Sequence, residues 1–163
     1  MKKRYIVIGA LAAAFGAFSA YSAMQSFTVQ RYGLDSDKIT EPVNIMLISD
    51  LHSCWYGENQ NELIAAIDEE NPDLIALAGD IFDDENPDQG AIALLTVIGQ
   101  KYPCYYVVGN HEVYTGETAK LKALAAQTGV TVLSGETAYI SVKGQNISIS
   151  GVDDPNIGQV QWE

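Results

Sequence analysis

His52 and His111 are the only two histidines of the chain, and each stands beside residues of metal-ligand type. Asp50 precedes His52 by two positions, Asn110 immediately precedes His111, and Asp80 follows a glycine between these two clusters. Carboxylate, imidazole and carboxamide are donors suited to Mn²⁺, Fe or Zn²⁺. A carboxylate has two oxygens, so Asp80 could bridge two ions. Taken singly, each residue has an ordinary explanation. An Asp after a strand is commonly a turn former or helix cap, Asn110 after Gly109 is a turn signal, and a lone histidine is commonly structural. The joint pattern carries more weight. Three apolar runs in succession finish in such residues, and both histidines fall in those endings.

The elements that must position these groups read as alternating strands and helices. Phe27 to Tyr32 alternates as an edge strand would. Val43 to Ile48 is nearly continuous apolar sequence, as expected for a strand covered on both faces. Asn59 to Glu70 puts Leu63, Ile64 and Ile67 on one helical face, with Asn59 or Asn61 as N-cap, and Asn71-Pro72 ends it. Leu74 to Ala78 is a second buried strand. Asp88 can cap a helix running to about Gly99 with Ile92, Leu95 and Ile98 apolar. Tyr105 to Val108 is the third strand. Thr115 begins a helix carrying Leu121, Leu124 and Ala125 and ended by Gly129. Val130 to Leu133 follows, and then a hairpin of Ala138 to Val142 and Asn146 to Ser150. The order βαβαβα requires a mainly parallel sheet with right-handed crossovers. In such a sheet ligands bind beyond the carboxyl ends of the strands, which is where Asp50, His52, Asp80, Asn110 and His111 fall. Asp68-Glu69-Glu70 and Asp83-Asp84-Glu85 read as solvated faces.

With these blocks in view, the sequence resembles a known family. ISDLH at 48–52, LAGDIFDD at 77–84 and VVGNHEVY at 107–114 look like the first three signature blocks of the calcineurin-like metallophosphoesterases. The resemblance runs from about Phe27 to the end of the chain, and the membrane-tethered bacterial branch, with a segment like GVDDP at 151–155, is the most similar. It implies a four-layer α/β/β/α sandwich, of which this chain would hold the βαβαβα part and a hairpin. It also implies a dinuclear metal centre hydrolysing phosphomonoester, phosphodiester or pyrophosphate bonds, with lipid-linked substrates among the possibilities. Asp50 and His52 would bind the first metal, Asp80 would bridge, and Asn110 would bind the second. His111 would be the catalytic group near the scissile phosphate, and Glu112 would orient it.

The departure from the family pattern is in the histidines. Full-length members carry a further metal-binding His and a GHxH block, and no His follows His111 here. The expectation is therefore that 27–163 is the amino-terminal part of the domain, binding metal weakly and turning over poorly alone. A non-catalytic exported metal-binding or interaction module on the same scaffold is the rival function.

The remaining features concern location. Lys2-Lys3-Arg4 precedes twenty residues, Tyr5 to Met24, without a charge. As a helix this stretch spans roughly 30 Å, about a bilayer core. Residues 1–24 therefore read as a membrane anchor with the rest of the chain extracytoplasmic, or as a signal peptide cleaved after Ala20-Tyr21-Ser22. Net charge is −12, and three of the nine Lys and Arg residues lie in that leading cluster, so nucleic-acid binding is not expected. Cys54 and Cys104 would lie at opposite edges of the sheet, too far apart for a disulfide, and read as small buried thiols.

Overall fold

The computed structural model describes residues 26–158. The charged-then-apolar stretch 1–24 lies outside the described residues. Among the described residues, no helix is long and apolar enough to cross a membrane.

Four parallel strands form the main sheet in the order β1 (Ile45–Ile48), β2 (Leu74–Ala78), β3 (Cys104–Val107) and β4 (Thr131–Val132). Between them run α1 (Asn61–Glu70), α2 (Gln89–Lys101), the short α3 (Asn110–Tyr114) and α4 (Thr118–Gln127). The sheet is laid down in chain order, so right-handed crossovers place the connecting helices on one of its faces. An antiparallel hairpin follows, β5 (Thr137–Val142) with β6 (Gln145–Ser150).

The core lies between the helices and one face of the sheet. Ile75 and Leu77 of β2 and Tyr106 of β3 meet Leu63 and Ile67 of α1, Leu94, Leu95 and Ile98 of α2, and Leu121 and Ala125 of α4. Leu94, Leu95 and Ile98 are wholly buried, each burial stabilising the fold by about 1.5–3 kcal/mol. The opposite sheet face is partly covered by the hairpin. Ala76, Ala78, Tyr105 and Val107 line a cleft of about 260 Å³ with Leu133, Ile149 and Gly151. The hairpin turn is fastened to the approach to β1. Lys143 Nζ donates to Asp73 at 2.7 Å and to the Pro42 carbonyl at 2.8 Å. The Gln145 amide accepts from Thr40 N–H at 2.7 Å and donates to the Glu41 carbonyl at 2.8 Å.

Several expectations change. β1 is not covered on both faces: Ile45 is 53% and Leu47 is 68% exposed, while Met46 and Ile48 pack on the core. β1 is the sheet edge, and the cleft residues of the hairpin lie over β2 and β3. Phe27 to Tyr32 forms no strand. Phe27 instead meets Tyr56 edge-to-face at 5.2 Å and Arg31 pairs with Glu70, while Val29 and Tyr32 are exposed. α1 begins after a 3₁₀ turn at Glu58–Gln60, with Gln60 at the N-cap and no side-chain cap bond, so neither Asn59 nor Asn61 caps it. α2 extends past Gly99 to Lys101. α3 is an element with too few residues to show a helical period.

Cys54 and Cys104 form no disulfide, as expected. Cys104 is buried, its Sγ donating to the Ile98 carbonyl at 3.4 Å, whereas Cys54 is half-buried.

Candidate metal centre at the strand ends

The parallel register sets where the three chain segments leave the sheet. Ile48 lies beside Leu77, and Ala78 beside Val107. The segments 49–53, 79–82 and 108–112 therefore emerge at one rim.

Backbone bonds then tie the segments together beyond the strands. Asp50 N–H donates to Gly79 O at 3.3 Å, His52 N–H to Asp80 O at 2.9 Å and Ser53 N–H to Ile81 O at 3.0 Å. On the other side Gly79 and Gly109 pack back to back. A Cβ on Gly79, whose φ is +86°, would lie 2.6 Å from the Gly109 backbone, and one on Gly109 would lie 2.3 Å from Asp80 Oδ1. Both positions require the hydrogen side chain, as their place beside Asp80 and Asn110 suggests.

Glu112 is the hub of this arrangement. Its side chain is fully buried and accepts the N–H groups of Asp80, Ile81, Phe82 and Gly109 at 2.7–3.0 Å, together with the Tyr106 hydroxyl at 2.9 Å. The expectation that Glu112 orients the His111 ring is thus corrected: its carboxylate holds the backbone of the 80–82 turn. Burial, with the Glu112 charge and hydrogen bond added to it, pushes the Tyr106 hydroxyl far above its ordinary range, so it stays a neutral donor.

Asp50, His52 and Asp80 come together at the rim, with one ligand atom from each within 4.8 Å of the others. All three have left-handed backbone, with φ of +57°, +50° and +52°. For residues other than glycine such conformations cost on the order of 1–3 kcal/mol each and collect at functional sites. Asn110 opens α3 between Gly109, which touches Asp80, and His111, whose N–H donates to Asp80 Oδ1 at 2.9 Å. Two carboxylates and an imidazole fit a hard to borderline divalent cation.

The acidic run after Asp80 departs from expectation. Asp83 is buried rather than solvated. Its carboxylate lies 3.2 Å from His52 Nδ1 and 3.0 Å from His111 Nδ1, and it accepts from Asn86 N and Nδ2 at 2.9 and 2.7 Å. Desolvation opposes its ionisation, but the Asn86 N–H, the His52 ring and the Glu85 N–H outweigh it and hold the carboxyl below its usual range. Asp84 lies 2.7 Å from His111 Nδ1. For His111 desolvation likewise works against the charged form, while the Asp84 hydrogen bond and the charges of Asp80, Asp84 and Asp83 prevail and raise its pKa. The two imidazole rings meet edge-to-face at 4.3 Å, and His52, Asp83 and His111 form a second group with ligand atoms within 4.8 Å of one another. Sequence reading missed Asp83, Asp84 and Asn86 as site residues. The three-residue step from Asp80 was the available signal, and a run of acids hid it. Of the other acidic run, Asp68 and Glu70 are not simply solvated either, since Lys101 and Arg31 pair with them.

A parallel α/β sheet with carboxylates and imidazoles gathered beyond its strand ends defines a scaffold with a candidate metal site. The family model for calcineurin-like phosphoesterases matches residues 43–154, and the chain belongs to that family. The chain is 32% identical over 140 residues to the uncharacterized metallophosphoesterase YkuE of Bacillus subtilis, covering 81% of this chain and 46% of that protein. It is 30% identical over 121 residues to a bovine (Bos taurus) transmembrane protein with metallophosphoesterase domain, covering 69% of this chain and 27% of that one. Among solved structures it is similar to the phosphopantetheinyl hydrolase of Mycobacterium tuberculosis, 21% identical with a TM-score of 0.48, covering 66% of this chain and 41% of that chain. The chain spans less than half the length of the curated relatives it matches.

Proposed function

We propose that the whole protein is a metal-dependent hydrolase of phosphate esters or pyrophosphates that uses two divalent ions, Mn²⁺, Fe or Zn²⁺, at this rim. The observation that carries the reading is the convergence of Asp50, His52 and Asp80 from two strand ends, in strained backbone, within a chain of the phosphoesterase family. In this reading Asp50 and His52 hold one ion, Asp80 touches both and Asn110 holds the second. Bound metals would supply Lewis-acid neutralisation of the phosphate and acidification of the attacking water.

The chain's own groups have definable tasks in that site. The acidic rim does not attract phosphate by itself, so substrate binding depends on neutralisation of Asp50 and Asp80. Asp83 and Asp84 hold the His111 imidazole beside Asp80. From there His111 would donate a hydrogen bond, or a proton, to the oxygen leaving phosphorus. Glu112 keeps the 80–82 turn from relaxing when metal is removed.

For location, we propose that residues 1–24 anchor the protein, or export it, so that the domain from residue 27 onward works on the extracytoplasmic side. The support is the Lys2-Lys3-Arg4 cluster before twenty uncharged residues, and the relatives named as transmembrane proteins. A phosphate ester presented at a membrane surface, including a lipid-linked one, suits that placement. Amino-terminal sequencing of the mature protein separates the two forms: a start near Ala23 means cleavage.

The test of the activity uses full-length protein and a generic phosphodiester, bis(p-nitrophenyl) phosphate. Hydrolysis is expected with Mn²⁺, to be lost with EDTA, restored by Mn²⁺ and abolished in Asp80→Asn. Wild-type turnover by Asp80→Asn would refute the bridging role. Tight Mn²⁺ binding without turnover of any phosphate ester would favour a binding module over an enzyme.

A further inference from the structure

The GVDDP segment at 151–155 lies outside the metal-ligand blocks, yet it reaches the same turn. Asp153 is buried, its side chain fully enclosed. Its Oδ1 accepts the Val108 N–H at 3.1 Å, and its Oδ2 is ion-paired with Lys122 of α4. Lys122 Nζ also donates to Ser134 Oγ at 2.6 Å. The next residue completes the attachment, as Asp154 N–H donates to the Val108 carbonyl at 3.0 Å. Both backbone groups of Val108 are thereby held from 153–154, one residue before Gly109-Asn110-His111. The 3₁₀ turn Pro155–Ile157 then lies against α3, the helix that Asn110 opens.

We propose that Asp153 is a positioning residue that sets where Asn110 and His111 stand relative to Asp80. β3 ends at Val107, so beyond it the sheet no longer dictates the path of the chain. Glu112 fixes Gly109 N–H from one side, and Asp153 fixes Val108 N–H from the other. A carboxylate is needed at 153 because it must accept a backbone N–H and neutralise Lys122 with the same group. A neutral side chain would leave a cation largely enclosed, with 19% of its side chain exposed. The path from Asp153 to the metal groups is short: Val108, then Gly109 in contact with Asp80, then Asn110. Outer groups of this kind typically change metal affinity or activity by about 10–100-fold when removed.

The inference rests on the phosphoesterase reading, in which Asn110 takes a metal. The experiment is Mn²⁺ binding to full-length protein by electron paramagnetic resonance, at a temperature well below each variant's melting point. Asp153→Ala is expected to bind Mn²⁺ about 10-fold more weakly than wild type. Asp153→Asn, which keeps an oxygen for the Val108 N–H but leaves Lys122 without its counter-charge, is expected to recover only part of that loss. Should Asp153→Ala not fold, Lys122→Gln carries the test, with weaker Mn²⁺ binding expected once the carboxylate loses its cation. Wild-type affinity in the folded Asp153→Ala and Lys122→Gln variants, whatever their melting points, would overturn the proposal alone. Wild-type protein that binds no Mn²⁺, or Asp80→Asn that binds it as wild type does, would instead overturn the functional reading and the proposal with it.

Discussion

The buried carboxylate of Glu112 accepts the backbone N–H of Asp80 at 2.9 Å, so one member of the candidate metal site is held through its main chain by a residue on another element. Three further N–H groups and the Tyr106 hydroxyl share the same carboxylate. Replacing Glu112 by Gln turns one acceptor into a donor facing donors. Unsatisfied buried N–H groups cost about 1–3 kcal/mol each, so Glu112→Gln should lose on the order of 2–4 kcal/mol in denaturant unfolding. Mn²⁺ affinity should fall with it, by about 10–100-fold.

Gly109→Ala tests the close approach of two strand ends. The added Cβ would sit 2.3 Å from Asp80 Oδ1 and 2.6 Å from its N, and neither atom can yield without moving Asp80. The expected result is a loss of Mn²⁺-dependent hydrolysis of more than about 10-fold with the secondary structure retained by circular dichroism.

Alkaline pH should weaken the fold through two buried groups. Desolvation pushes the Cys104 thiol from 9.0 up to about 12. Between those values the folded chain keeps a proton that the unfolded chain has released, so stability is full below pH 9 and falls as pH rises above it. Tyr106, raised for the same first reason, adds to the decline above pH 10. Urea midpoints measured at pH 7.5, 9 and 10.5 should decrease in that order. Cys104 should also resist alkylation at pH 8 until the protein unfolds.

Acid should release the hairpin turn before the core. Hydrogen bonding to Lys143, and then to Asn44 N–H, lowers the pKa of Asp73. A depressed carboxylate contributes stability above its unfolded pKa and loses it as pH falls through the lower, folded value. Amide exchange across β5 and β6 should therefore accelerate below about pH 4. Lys143→Ala should produce the same loosening at neutral pH, and unchanged exchange in that variant would remove the anchor.

Much of the scaffold was legible in the amino-acid order. β2 and the hairpin strands follow from apolar runs and a Lys-Gly turn, α1 and α4 from their 3.6-residue stripes, and the parallel sheet from their alternation. The set Asp50, His52 and Asp80 was readable because each residue follows an apolar strand, and strand direction alone sends all three to one rim. These are local patterns, and local patterns survive in sequence. The partners of the set were not readable that way. Asp83 resembles its neighbours Asp84 and Glu85 in every local respect, and only the packing of two imidazoles against it buries it. β1 has the composition of a fully covered strand, yet its edge position leaves Ile45 and Leu47 open. Glu112 and Asp153 are acids whose partners lie about 30 and 45 residues away. The residue types at the rim and their order are properties of the chain itself. Which acids are buried, and which backbone N–H groups they hold, depends on distant segments packing together, and that was decided by the tertiary structure alone.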